Sequence, residues 1–211
     1  MSVTLQASFQ ITATKGLSIH ARIENAGAVD ILVLDRLWTL DASSQRALDG
    51  EHIYRFERDG SLRLLLGPAP LPRLKTVTYR NVPMATRVRA RAALDRDITL
   101  VAPIKEYSVY FPEIAPENYE PKIVGTVHLV IDYLVARPEL VTRASSLDPA
   151  AVEIDNPVLA LVGAQRLVHS GPVSGLEVLR RTDEFDRMTL PGEAPEPLKL
   201  ADGPSPPDPS P

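Results

Sequence analysis

Apolar and polar positions alternate with a period of two over most of the first two thirds of the chain, which predicts a succession of short half-buried strands. Val3, Leu5, Ala7, Phe9 and Ile11 share one face of the first strand, and Leu17, Ile19, Ala21 and Ile23 share one face of the second. Setting Ile11 opposite Ile19 and Ala13 opposite Leu17 leaves Thr14-Lys15-Gly16 as the loop, with Gly16 at its left-handed position. The same reasoning pairs Ile23 with Val29 and Ala21 with Ile31, so that Arg22 faces Asp30.

The next run, 29–40, is apolar on both faces at Ile31, Leu32, Val33 and Leu34, as expected of a central or doubly covered strand, and Trp38 lies near its end. Asp59-Gly60, between runs at 52–57 and 62–66, is the strongest hairpin signal in the chain. Further strands are expected at 74–82, 86–92, 98–102, 107–111 and 123–135, with prolines falling between them. Strands at this spacing predict an all-β fold over 1–147, an antiparallel β-sandwich of immunoglobulin-like or related Greek-key type.

Residues 148–189 form a small mixed segment expected to pack on that sandwich. Asn156-Pro157 reads as a helix start and Ser170-Gly171-Pro172 as a stop, giving a helix over 157–168, although Gly163 leaves a strand open. Ser174-Gly175-Leu176-Glu177 matches a capping box and suggests a second helix. Eight of the 20 prolines lie beyond Leu190, so 190–211 reads as a disordered tail.

Composition narrows the class. Hydrophobic residues at 44% and charged residues at 24% fit a globular protein and exclude collagen-like or wholly disordered chains. The absence of cysteine removes disulfides, thiolate metal sites and Cys nucleophiles. The formal charge of -4 falls mostly in the tail, where Glu193, Glu196, Asp202 and Asp208 oppose Lys199. The nearly neutral body makes a nucleic-acid partner an unfavoured reading despite the excess of Arg over Lys. The amino terminus lacks a charged, then apolar, signal-peptide pattern, and no apolar run is long enough to span a bilayer. A cytoplasmic address and no membrane partner are the expectations.

No motif identifies a reaction or calls for a cofactor. Arg87, Arg89 and Arg91 alternate with Val88, Ala90 and Ala92, which would place three guanidiniums on one strand face, in a locally basic stretch with Arg73, Lys75, Arg80 and Arg96. That face could bind an acidic polymer, or simply be solvated or guard an edge. His128 and Asp132 share the polar face of a strand and suggest a hydrolase or metal-dependent pocket, yet the histidines lack metal-ligand spacing. His169, Ser170 and Ser174 do not match a Gly-x-Ser-x-Gly elbow.

Leu94-Asp95-Arg96-Asp97 and Asp155-Asn156-Pro157 resemble fragments of the calcium signatures of cadherin repeats, but the companion Asp-x-Asp element is missing, so a turn and a helix cap are the readings kept. Ile23-Glu24-Asn25-Ala26-Gly27 between early strands is loosely similar to bacterial intracellular proteinase-inhibitor sandwiches, a likeness that assigns no family. Tyr107, Tyr110 and Phe111 concentrate aromatics in a chain with only 5% of them, and Tyr and Arg are favoured recognition anchors, although Tyr107, Val109 and Phe111 could equally form one buried strand face. The resulting expectation is a non-enzymatic scaffold that binds a protein or peptide through Tyr107, Tyr110, Phe111 and the arginines Arg87, Arg89 and Arg91.

Overall fold

The structure is a computed structural model that describes residues 2–72, 81–111 and 113–183. The fold is predominantly β. Strands β1 (Val3–Ile11), β2 (Leu17–Asn25), β3 (Ile31–Arg36), β4 (Trp38–Leu40), β5 (Arg46–Leu48), β6 (Tyr54–Arg58) and β7 (Ser61–Leu66) come first. They are followed by β8 (Met84–Val88), β9 (Ala92–Leu100), β10 (Ile104–Lys105), a 3-10 turn (Pro116–Asn118) and β11 (Tyr119–Val135). The chain continues through β12 (Thr142–Ala144), β13 (Val152–Ile154), α1 (Pro157–Gly163) and β14 (Gln165–Arg181).

Among the described residues β1, β2 and β9 form one antiparallel sheet in that order. A larger sheet runs β10-β14-β11-β3-β8-β13-β12, with β7 also paired to β11 and β6 to β7, while β4 and β5 make a separate pair. Its β7–β11 and β10–β14 contacts are parallel, which an up-and-down meander would not produce. One hydrophobic cluster joins the two sheets: Leu17, Ile19, Ala21 and Ile23 of β2 and Ile98 and Leu100 of β9 share it with Ile31, Val33, Leu64, Leu129 and Ile131. Removing this apolar surface from water is the main force holding the sheets together.

β3 is covered on both faces, as its sequence predicts. Ile31 and Val33 enter the main core, while Leu32 and Leu34 pack with Ala85 and Leu134 in a cluster on the other side. The expected hairpin at Asp59-Gly60 is present: Asp59 and Gly60 take φ values of 53° and 74°, the left-handed pair required by a two-residue turn, and Arg58 faces Ser61.

Several expectations are corrected. Ile11 faces Leu17, not Ile19, and Lys15 rather than Gly16 is left-handed, at φ 61°. A two-residue slip leaves every side chain on its original face, so apolar alternation is blind to it. The wider loop is fixed by Thr12, whose Oγ1 accepts from the Gly16 N–H at 3.0 Å. Gly16 is needed for another reason: a Cβ there would stand 2.3 Å from the carbonyl oxygen of Leu100. β2 does not pair with β3. It pairs with β9, and Arg22 meets Asp95 rather than Asp30, at 3.0 Å. Doubly apolar β3 belongs inside the larger sheet, whereas alternating β9 suits a sheet covered on one face. The crossover is held by buried Asn25 of the Ile23–Gly27 passage, whose Nδ2 donates to the carbonyls of Val29 (2.9 Å) and Arg89 (3.1 Å).

The expected strand at 107–111 is a turn, in which the Phe111 N–H donates to Ser108 O at 3.0 Å. Phe111 is buried with Tyr54, Phe56 and Leu65, and Tyr107, Val109 and Tyr110 pack against the same cluster. Adjacent Tyr110 and Phe111 cannot both face one core from a flat strand, because successive strand side chains point to opposite faces. The helix over 157–168 stops at Gly163, and the expected second helix is part of β14, where Leu167, His169, Gly171 and Val173 are less exposed than their neighbours. Pro172 is tolerated because, among the described residues, β10 pairs β14 only at Val178 and Leu179, which leaves the flanking edge at Pro172 without a ladder there. Most of the run at 74–82 and all of the tail at 190–211 lie outside the described residues.

Candidate functional site

β9 is an edge strand: it pairs with β2, and its other side has no ladder partner among the described residues. A groove lies along that free edge. Residues 96–101 form one wall and 48–52 the other, across two adjoining cavities of about 280 and 450 Å³ that share His52.

The 48–52 wall is held by buried Asp49. Its Oδ1 accepts from the Glu51 N–H at 2.9 Å and its Oδ2 from the Tyr107 hydroxyl at 2.6 Å, while its own N–H donates to Leu37 O at 3.1 Å. Burial, and then the adjacent Asp49 carboxylate, push the Tyr107 phenol far above its ordinary range, so it stays a donor. His52 turns the chain with φ 60°.

The larger cavity is lined by matched charges. Arg55 donates to Lys105 O at 2.8 Å and to Glu51 Oε2 at 2.5 Å, and its guanidinium sits 5.2 Å from the Tyr107 ring centre. At the mouth, Lys105 and Glu113 pair at 2.5 Å; that hydrogen bond raises the lysine pKa and lowers the carboxylate's. Deeper, Glu106 accepts from the backbone N–H groups of Glu57 (2.6 Å) and Arg181 (2.8 Å), and Arg181 grips Asp183 through two hydrogen bonds of 3.1 and 2.8 Å. Arg55, Lys105 and Arg181 balance Glu51, Glu106 and Glu113, so the cavity is no trap for a small ion of either sign.

In the smaller cavity Arg96 reaches across from β9 to the larger sheet. Its Nε donates to buried Asp35 Oδ2 at 2.5 Å and its Nη2 to Thr86 Oγ1 at 2.7 Å, while the Thr86 N–H donates to Asp35 Oδ1 at 3.1 Å. Asp95 and Asp97 point to the opposite, exposed face, where they meet Arg22 and His20, the latter at 2.8 Å. The passage read as a turn is therefore mid-strand.

Two of the sequence-predicted residues, Tyr107 and Phe111, line the larger cavity. Tyr110 does not; its hydroxyl accepts from the Asn81 N–H at 2.8 Å and braces the second core. Arg87, Arg89 and Arg91 do not share a strand face, because β8 ends at Val88 and Arg91 turns the chain with φ 60°. Arg87 is taken up by Thr142, at 3.3 Å, and Asp30, at 3.9 Å.

His128 and Asp132 do not converge either. Asp132 is buried in a two-point ion pair with Arg166, both bonds 2.8 Å. His128 Nδ1 lies 2.6 Å from Ser170 Oγ, and burial together with the neighbouring Arg63 charge lowers its pKa. This Ser–His contact spans paired strands of a sheet face, where the backbone N–H groups serve the β11–β14 ladder instead of converging on an oxyanion. Among the described residues no three acidic or histidine side chains gather as metal ligands.

No family model, curated protein or solved structure matches the chain. Among the described residues no helix is long and apolar enough to cross a membrane.

The sequence reading missed β9 as an edge and missed the 48–52 wall. A signal for the first was present in Asp95-Arg96-Asp97: an inward-pointing charge flanked by outward ones is a device of edge strands. A signal for the second lay in Asp49-Gly50, a turn dipeptide whose Asp carboxylate accepts from the N–H two residues on, whereas the turn at His52 had none.

Proposed function

We propose that the chain is a non-enzymatic binding protein, a mainly antiparallel β-sandwich of immunoglobulin-like or related Greek-key type that takes a protein or peptide partner in the groove beside β9. The observation that carries this reading is the groove itself: an unpaired strand edge, a braced opposite wall and a lining of Tyr107, Phe111 and exposed Val101. Aromatic and apolar surface beside satisfied polar groups is the composition of a recognition site. The carboxylates Asp35, Asp49, Glu51, Glu106 and Glu113 that line it are each held in ion pairs or hydrogen bonds rather than poised for proton transfer, which favours binding over catalysis.

The test is selection of peptides from a random displayed library against the immobilised full chain. Val101 is 74% exposed on the groove wall and Ile123 is 63% exposed on β11. Selected peptides should lose binding to Val101→Lys and keep it to Ile123→Lys. Peptides indifferent to Val101→Lys, or a failure to select any, would overturn the reading.

A further inference from the structure

We infer that the partner enters the groove as an added β-strand on the free edge of β9, and that it is an extended peptide with basic residues at alternate outward positions and apolar residues between them. This rests on the groove being the binding site.

The backbone argument comes first. No hydrogen bond of the described structure links the 48–52 wall to β9; that wall is held instead by β4, Leu37, Arg55 and Tyr107 and within itself. The groove is thus open where an edge strand presents unpaired N–H and C=O groups, the template for strand addition. The six wall residues 96–101 span about 20 Å of extended chain, room for a peptide of similar length.

Side chains set the partner's pattern. Across a ladder, opposed residues project from the same face and attract or repel accordingly. Outward on β9 stand Asp95 and Asp97, whose side-chain partners among the described residues, Arg22 and His20, both lie on the β2 side. A strand on the other side would set its own alternate residues beside these carboxylates, where Lys or Arg fits. Inward over 96–101, β9 presents Ile98 and Leu100 beside the paired Arg96, so the peptide's intervening residues meet apolar surface at two of the three inward positions. The same carboxylates disfavour a second copy of this chain as occupant. Two β9 strands paired antiparallel about Arg96 would set Asp95 opposite Asp97 twice, and opposed like charges destabilise a ladder.

The experiment measures the affinity of the full chain for three synthetic peptides selected on the groove: one with alternate Lys, one with alternate Glu, and the Lys peptide with its ladder-forming amides N-methylated. The Lys peptide should bind about tenfold tighter than the Glu peptide, and N-methylation should abolish binding. Asp95→Lys/Asp97→Lys should reverse the charge preference. Asp95→Asn/Asp97→Asn, which retains hydrogen-bonding shape, should remove it even if the reversed variant folds poorly. Peptides that still depend on Val101 but ignore N-methylation and both variants would refute strand addition while leaving the groove as the site. Concentration-dependent dimers in sedimentation, broken by Asp95→Lys/Asp97→Lys, would refute the peptide as occupant.

Discussion

Arg96 on β9 donates to the buried carboxylate of Asp35 on β3 at 2.5 Å, tying the two sheets together beside the free edge. Asp35 is shielded from solvent, so loss of its partner strands a desolvated charge. Arg96→Met should cost about 3 kcal/mol in urea unfolding, and adding Asp35→Leu should return much of that loss. A cost below about 0.5 kcal/mol would show the pair to be incidental.

β1 lies over β14 without pairing to it, and the approach is set by Gly171. A Cβ at Gly171 would fall 2.7 Å and 2.9 Å from two ring carbons of Phe9. Gly171→Ala should therefore destabilise by about 1–3 kcal/mol, and Phe9→Leu in the same chain should relieve part of it, a coupling that a double-mutant cycle measures.

Histidine 128 should contribute to pH dependence. Burial and Arg63 lower its pKa in the folded chain, so the unfolded chain binds its proton more readily. The sign follows: above the ordinary histidine pKa of about 6.5 the residue has no effect, and as pH falls through that value the wild-type chain loses stability. His128→Asn should flatten this part of the profile. A midpoint difference between wild type and variant that stays constant from neutral to mildly acidic pH would contradict the assignment.

Tyr107 braces the groove wall through Asp49. Tyr107→Phe keeps the ring and removes the 2.6 Å bond to Asp49 Oδ2, which should cost about 1–2 kcal/mol and loosen residues 48–52. Because the Tyr107 phenol is pushed far up, and that of Tyr133 is raised as well, difference titration of the native chain against Tyr107→Phe should show the Tyr107 phenol still protonated where ordinary tyrosines ionise. Its ionisation near pH 10, at about the ordinary tyrosine value, would rule the buried hydrogen bond out.

Much of the local structure was legible. The alternation of β1 and β2, the double apolar face of β3 and the Asp59-Gly60 turn each follow from side-chain period and backbone preference alone. Pairing was not, because periodicity assigns a face and leaves the neighbour open: Arg22 could satisfy Asp30 or Asp95 equally well on paper. Tyr107 and Phe111 drew notice as aromatics but owe their place to a turn that folds them over Tyr54 and Phe56. Arg87, Arg89 and Arg91 failed as a set because a chain reversal at Arg91 breaks the period on which the pattern depended.

Amide hydrogen exchange of the full chain, with and without the tightest peptide selected on the groove, tests strand addition at β9 most directly. Alternate amides of β9 within 96–101, those not already bonded to β2, should gain protection on binding, while the exposed β11 position Ile123 and its neighbours stay unchanged. Protection gained elsewhere, with none on β9, would contradict it.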